Sequence, residues 1–549
     1  MNYIKNLSFK KRRQETGDRS QNNSAIRNPQ SAIRKYFFPL GFASSWNTQH
    51  ATRNADFGLP ILSGILLILI QPPVSLFPLA FVSLIPLFYS LKKDNLRYSF
   101  ISGFIAGIVS YLGLVYWVVI AMNRYGGINI YLSFLILLLF VLYLSLYTGC
   151  FALSVSYLEE RLSIPFFLSA PIIWVLLEYL RGIALSGFPW SLLAHSQHNF
   201  LSFIQITSIT GTYFISYLIV AANCIIYSIL RRKSVSIVYI VIISICFIAS
   251  LIYGYRILGK QDKGTLTVAI VQGNIRQDVK WDDAFKIKTI RTYYNKTIEA
   301  GENIHLVVWP ETAMPFIFEQ EIQLNRFIKA LPTLSNTYLL FGTVSKDKQG
   351  KHHNSAYILG KNDELVGTYS KVHLVPFGEY TPLASYFPFL EKITASGGDF
   401  SPGEPHKPIE TGIGSIGILI CYEGTFPYIT NETVRKGAQV LVNITNDAWY
   451  DRTSAPYQHF AFYIFRAIET DRYVLRSANT GISAIIDPQG RIKLKTPIFT
   501  EGILKGRFSM KNTKTFYVKY GDYFILLVFM FLIIIVTLRF YNIPLCSKG

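Results

Sequence analysis

Three residues in separate segments of this chain could together activate a thiol. The run GILICYEG at 417–424 stays apolar until it ends on Cys421, Tyr422 and Glu423. An apolar run of this length bounded by glycines predicts a buried strand, and a side chain at a strand end can face a cleft while its backbone stays fixed. HLVVWPE ends on Glu311, and KVHLVPFGEY begins on Lys371 and carries Glu379 near its end. A free thiol, with a pKa of about 8.5, is only a few per cent thiolate at neutral pH. A carboxylate can take its proton, and an ammonium favours the thiolate and later a tetrahedral oxyanion. Taken alone, Cys421 also reads as a buried structural cysteine, a common role for a free thiol.

The elements that must position these groups are short β-type runs, TLTVAIVQG, HLVVWPE, TYLLFGTV, GILICYE, QVLVNITND and ISAIIDPQG, separated by helix-like segments between residue 260 and about 512. This predicts an α/β domain of roughly 250 residues, large enough for a core of its own. Asn446, Asp447 and Trp449 end one of these runs and read equally as site residues or as turn chemistry. Arg466 and Glu469, three apart on a helix-like stretch, read as a surface or structural salt bridge.

The rest of the chain is apolar. Half of the 549 residues are hydrophobic, 15% are aromatic and only 16% are charged, which excludes an ordinary soluble protein. Apolar blocks at about 58–71, 75–91, 98–122, 131–157, 163–180, 202–230, 234–255 and 523–538 predict about eight transmembrane helices, since roughly 20 residues cross ~30 Å of hydrocarbon. The first two are short and flank Pro72 and Pro73, which predicts a tight hairpin of tilted or incomplete spans. The expected organisation is a disordered basic arm at 1–56, a seven-helix membrane region at 57–257, the α/β domain at 258–515, and a last span with a short tail at 516–549.

The basic arm, Lys92, Lys93 and Arg97, Arg161, and Arg231, Arg232 and Lys233 fall on one side of the predicted spans, which marks that side as cytoplasmic and the α/β domain as extracytoplasmic. The net charge of +20 is scattered and forms no basic stripe interleaved with aromatics, so nucleic acid is not an expected partner. The spacing of the five cysteines, Cys150, Cys224, Cys246, Cys421 and Cys546, fits neither a zinc site nor a disulfide framework. Neither a metal nor an organic cofactor is implied. The loop 181–200, with GFPW at 187–190, is expected at the membrane interface, and Glu178 and Arg181 share a helical face on which they could pair.

WPE at 309–311, KVHLVPFGEY at 371–380, CYE at 421–423 and NITNDAW at 443–449, in that order, resemble the Glu-Lys-Cys signature of the nitrilase superfamily. Together with the flanking spans, the GFPW loop, VQGNIRQDVKW at 271–281, QHFAFYIFRAIE and LRSANTGISAIIDPQG, the chain resembles the apolipoprotein N-acyltransferase family from about residue 57 to the last span. That resemblance implies an αββα sandwich beside the membrane helices. It makes Glu311 the general base, Lys371 the stabiliser of thiolate and oxyanion, and Cys421 the nucleophile. Glu379 and Glu423 would support them, the Tyr422 backbone N–H would face the oxyanion, and Trp281 would line a lipid entrance. His459 offers a Cys–His pairing, but the Glu-Lys-Cys order already accounts for activation.

The implied reaction takes an acyl chain from a membrane phospholipid through a Cys421 thioester to the α-amine of a diacylglyceryl apolipoprotein, at the periplasmic face of a bacterial inner membrane. A membrane-tethered carbon-nitrogen hydrolase of small amides and a non-catalytic lipoprotein-binding protein are the other readings. The segment from Thr381 to Gly403 is expected either as a mobile lid or as an ordered loop. Departures from the family pattern are local: a longer polar arm, and Asp451 and Arg452 after Trp449.

Overall fold

The structure, a computed structural model, describes residues 57–381, 400–405 and 407–541. The expected basic arm and nearly all of the expected lid lie outside the described residues. Six of the described helices are long and apolar enough to cross a membrane: Leu96–Val115, Ile130–Arg161, Phe166–Ser186, Tyr213–Leu230, Ile237–Leu258 and Tyr523–Phe540. Against the about eight expected, these six are accompanied among the described residues by three shorter apolar pieces, Gly58–Leu69, Phe77–Ser90 and Leu201–Thr210. Gly58–Leu69 has 12 residues, about 18 Å of helix at 1.5 Å per residue. The second block breaks into a turn at Phe77–Phe81 and a helix at Ile85–Ser90. The block expected from 202 also breaks, because Gly211 turns at φ +74° before the helix that starts at Tyr213.

Between the span ending at Leu258 and the one starting at Tyr523 lie thirteen strands: β1 Leu266–Gln272, β2 Leu306–Val308, β3 Met314–Ile317, β4 Tyr338–Lys346, β5 His352–Leu359, β6 Leu365–Ser370, β7 Ile409–Thr411, β8 Gly414–Ile420, β9 Val440–Thr445, β10 Val474–Ala478, β11 Ala484–Ile486, β12 Ile492–Lys495 and β13 Gly502–Phe508. They form two sheets. One runs β13-β1-β2-β4-β5-β6 with β3 beside β4, and the other runs β12-β11-β10-β9-β8-β7. Their inner faces share a core in which Ile270, Val308 and Ile358 meet Ile418, Val442 and Leu475. Helices Asp283–Ala300 and Ile322–Ser335 cover the first sheet, burying Ile290, Tyr293 and Leu331 against Val307 and Leu339. This is the expected αββα sandwich.

The outer face of the second sheet has a different neighbour. Strand residues alternate between faces, so Leu419 and Leu441 point away from the inner core and join one hydrophobic cluster with helices Pro427–Arg435 and Ala455–Thr470 and with the membrane helices. Ala455–Thr470 is buried at every residue but Tyr457, as befits a helix with packed neighbours on all sides. Its Arg466 and Glu469 are fully buried and paired at 2.7 Å. Arg466 also donates to the Thr425 carbonyl at 3.1 Å, and Glu469 accepts from the Thr212 hydroxyl at the head of a membrane helix. The pair therefore fastens the sandwich to the bundle.

Removing one partner strands the other charge in a dry interface, which typically costs about 3–5 kcal/mol. Glu469→Ala is expected to lower the unfolding temperature in detergent markedly. The double variant Arg466→Met, Glu469→Met should be less destabilised than either single truncation, as thermal melts of the purified proteins would show.

Candidate active site

β2 runs parallel to β1 and β4, and β8 parallel to β9, itself parallel to β10. Their carboxyl ends lie at one edge of the sandwich, where crossover connections leave room for a cleft. Glu311 follows β2, Lys371 follows β6, Cys421 follows β8 and Asn446 follows β9. The structure thus brings the three sequence-predicted groups together from both sheets.

Cys421 leaves β8 with φ +52° and opens a tight helical turn, Cys421–Thr425. A positive φ is uncommon for a residue with a Cβ and is held only where the surroundings enforce it. Tyr463 donates its hydroxyl to the Cys421 carbonyl at 2.9 Å, and Glu423 closes the turn from the other side by accepting the Ile420 N–H at 2.8 Å. The same Glu423 carboxylate accepts the N–H groups of Val372 at 2.8 Å and His373 at 3.2 Å, and the Tyr369 hydroxyl at 3.0 Å. It clamps the turn that carries the thiol to the segment that carries the lysine. Burial pushes its carboxyl above the ordinary range, against those N–H groups and Lys371.

Lys371 donates to Glu379 at 2.9 Å and stands 3.9 Å from Glu311 Oε1. Burial alone would push its ammonium down, but Glu379, Cys421 and Glu311 outweigh that and raise it. Glu311 accepts from Asn354 Nδ2 at 2.7 Å on Oε1 and from the Asn446 backbone N–H at 2.8 Å on Oε2. Asn354 also donates to Glu379 at 2.9 Å, so one amide spans both carboxylates. The Cys421 thiol, 7% exposed, is pushed up by burial and by Glu311, with Lys371 pulling the other way. The site thus sets a buried thiol among the side chains of Glu311 and Lys371. That arrangement can generate a thiolate when a substrate arrives, and it can meet an oxyanion with an N–H donor.

The remaining expected residues divide. Tyr422 donates its hydroxyl to the Gly187 carbonyl at 3.1 Å and stacks on Trp190. This contact carries the GFPW loop, in which Trp190 is buried beneath the sandwich and donates to Gln458 at 2.7 Å. Glu178 and Arg181 form no ion pair; instead Glu178 accepts the Leu193 N–H and Arg181 donates to the carbonyls of Phe188 and Trp190. Both hold that loop. Trp281 is half exposed. Asn446 proves to be part of the site wall. Asp447 is bound by His459 Nδ1 and Arg476, each at 2.9 Å; burial would push it up, but these two partners hold its carboxyl below the ordinary range.

Sequence reasoning missed Asn354, a lone amide inside a strand, and Lys280, whose buried Nζ donates to the Glu311 carbonyl at 3.1 Å and to the Thr312 hydroxyl. Alternation in β5 does not single out Asn354, because its neighbours Ser355 and Ala356 are equally buried and give no contrast. Nothing in the strap 273–281 distinguishes its one lysine.

A two-sheet sandwich that gathers thiol, ammonium and carboxylates at its strand ends, seated on an apolar helical bundle, defines a membrane-anchored member of the carbon-nitrogen hydrolase class. Residues 267–516 match the carbon-nitrogen hydrolase family, and residues 63–225 match the apolipoprotein N-acyltransferase N-terminal domain. The chain is 39% identical over 482 residues to the apolipoprotein N-acyltransferase of Geobacter metallireducens, covering 85% of this chain and 92% of that one. It is 31% identical to that of Coxiella burnetii, covering 85% and 96%, and 29% identical to that of Haemophilus ducreyi, covering 82% and 90%. The chain belongs to the apolipoprotein N-acyltransferase family.

A thiol pushed above its ordinary range holds less thiolate at pH 8 than a free one. Labelling of Cys421 by iodoacetamide without substrate is therefore expected to be at least tenfold slower than labelling of a cysteine peptide. It should still be climbing at pH 9, as peptide mass spectrometry across a pH series would show.

Proposed function

We propose that Cys421, Lys371 and Glu311 carry a ping-pong acyl transfer from a membrane phospholipid to the α-amine of a diacylglyceryl-cysteine apolipoprotein. The carrying observation is the placement of this thiol–ammonium–carboxylate group directly against the apolar bundle, through Tyr422, Trp190 and Gln458. Glu311 takes the Sγ proton as Cys421 attacks the donor ester carbonyl, and Lys371 donates to the oxyanion that forms. The C–O bond then breaks, the leaving lysophospholipid oxygen takes the proton back from Glu311, and the acyl group remains as a thioester. In the second half, the acceptor amine attacks the thioester carbonyl and gives its proton to Glu311. The C–S bond breaks, an amide leaves, and the thiolate recovers the proton.

Glu379 and Glu423 keep Lys371 charged and in place, and Trp281 lines the lipid entrance. The Tyr422 backbone N–H is the second donor toward the oxyanion. A fatty acyl chain loses about 0.8 kcal/mol for each methylene brought into water, on the order of 12 kcal/mol for roughly fifteen, so the donor must reach the thiol without leaving an apolar surface. The six spans supply one. The distribution of Lys and Arg in the short loops supports a sandwich facing the periplasm, and the family supports a bacterial inner membrane. Hydrolysis of a small amide is the reading the catalytic groups alone would permit, and a bound lipid is what separates the two.

Intact-protein mass spectrometry of the purified protein incubated with phospholipid and no acceptor tests the proposal. A mass gain of one fatty acyl group, labile to hydroxylamine and absent in Cys421→Ala, is expected. Absence of the adduct in wild type with phospholipid bound would contradict it. Lys371→Met and Glu311→Gln are expected to slow adduct formation at least a hundredfold.

A further inference from the structure

Two lysines are fully buried in this protein among the described residues, Lys371 and Lys280. Lys371 is surrounded by carboxylates; Lys280, 2% exposed, has no carboxylate within 4.0 Å among the described residues. Its Nζ instead holds the Glu311 carbonyl at 3.1 Å and the Thr312 hydroxyl. Thr312 sits at φ +46°, a conformation disfavoured for a β-branched residue, so the Lys280 ammonium grips both sides of a strained peptide. The turn is pressed onto β4 closely enough that a Cβ at Gly342 would lie 2.5 Å from the Thr312 nitrogen. The carboxylate of Glu311 is aimed by this turn.

The strap carrying Lys280 serves the same carboxylate a second way. Gln277 accepts from Asn446 Nδ2 at 2.7 Å, and the Asn446 N–H donates to Glu311 Oε2 at 2.8 Å. Asn479 pins the start of the strap through Ile275, accepting its N–H at 2.9 Å and donating to its carbonyl at 2.7 Å. The next residue after Lys280 is the half-exposed Trp281. One short segment thus runs from the rim to the backbone of Glu311.

We propose, resting on the acyl-transfer reading above, that Lys280 is a positioning residue for Glu311 whose ammonium also serves as the second positive charge acting on the Cys421 thiol. Lys280 Nζ lies 3.1 Å from the Glu311 carbonyl, and Glu311 in turn lies 3.9 Å from Lys371; burial pushes the Lys280 ammonium down to about 8, with Glu311 and Cys421 pulling it back up. In the first half-reaction the charge favours the thiolate. In the second, a protonated acceptor amine would meet two cations, Lys371 and Lys280, so the site admits the neutral amine, the form that can attack a thioester.

The test compares wild type, Lys280→Met and Lys280→Arg as full-length proteins in phospholipid nanodiscs, with two readouts. Loss of the charge should slow formation of the Cys421 acyl adduct in Lys280→Met at least thirtyfold while the KM for phospholipid stays within twofold. It should also slow iodoacetamide labelling of Cys421 about tenfold. A merely structural loosening would move labelling the opposite way, because it would expose a buried thiol. Lys280→Arg, which keeps the charge, should retain labelling within threefold of wild type. Should Lys280→Met fail to accumulate, Lys280→Arg and Lys280→Gln carry the comparison with the same expected split. Adduct formation and labelling unchanged in the uncharged variants, or faster labelling in them, would overturn the role of Lys280. Failure of wild type itself to form the adduct would overturn the acyl-transfer reading instead.

Discussion

In the proposed reaction, everything in the site follows from the free energy of burying a thiol that must become a thiolate. Dry surroundings raise the Cys421 thiol, and water admitted to lower it would expose the proposed thioester to hydrolysis. The protein answers with fixed charge. Lys371, held by Glu379 at 2.9 Å and near Glu311 at 3.9 Å, stays an ammonium despite its burial. Such preorganised charge is worth more in a low-dielectric site than in water. The carboxylates are fixed in turn by Asn354, by backbone N–H groups and by the turn at Thr312. No single strand end could do this, which is why the groups come from both sheets.

The same need for dryness explains the way the two halves of the described chain are joined. The second sheet presents its outer face to helix Ala455–Thr470, and that helix is buried because the membrane bundle covers its far side. Trp190, Gln458 and Tyr422 make the seam polar only where a hydrogen bond closes it. Arg466 and Glu469 bury two opposite charges there, a geometry that contributes little net stability but penalises any other arrangement of sandwich and bundle.

Much of this was legible in the sequence. Glu311 and Cys421 each close an apolar run and Lys371 opens one, and those unbroken apolar runs mark the buried strands that carry the groups. What stayed hidden has two physical causes. Polar residues whose partners are distant in sequence carry no local signal: Lys280 reads as one basic residue among many, Asn354 as a polar residue in a strand, and Arg466 with Glu469 as a salt bridge either on the surface or structural until the covering bundle is seen. Apolar blocks, in turn, report hydrophobicity and not length of unbroken helix, so Gly58–Leu69 and Phe77–Ser90 read in the sequence like the six longer helices.

The measurement that bears most directly on a dry, lipid-fed thioester is the fate of the acyl group once it is on the enzyme. Protein preloaded from radiolabelled phospholipid, freed of excess donor and mixed with a diacylglyceryl-cysteine peptide, should pass nearly all of its label to the peptide amine as an amide. Without the peptide the label should stay on Cys421 for many turnover times. Rapid release of labelled free fatty acid whether or not the peptide is present would show that water reaches the thioester as readily as the amine, and would contradict the account.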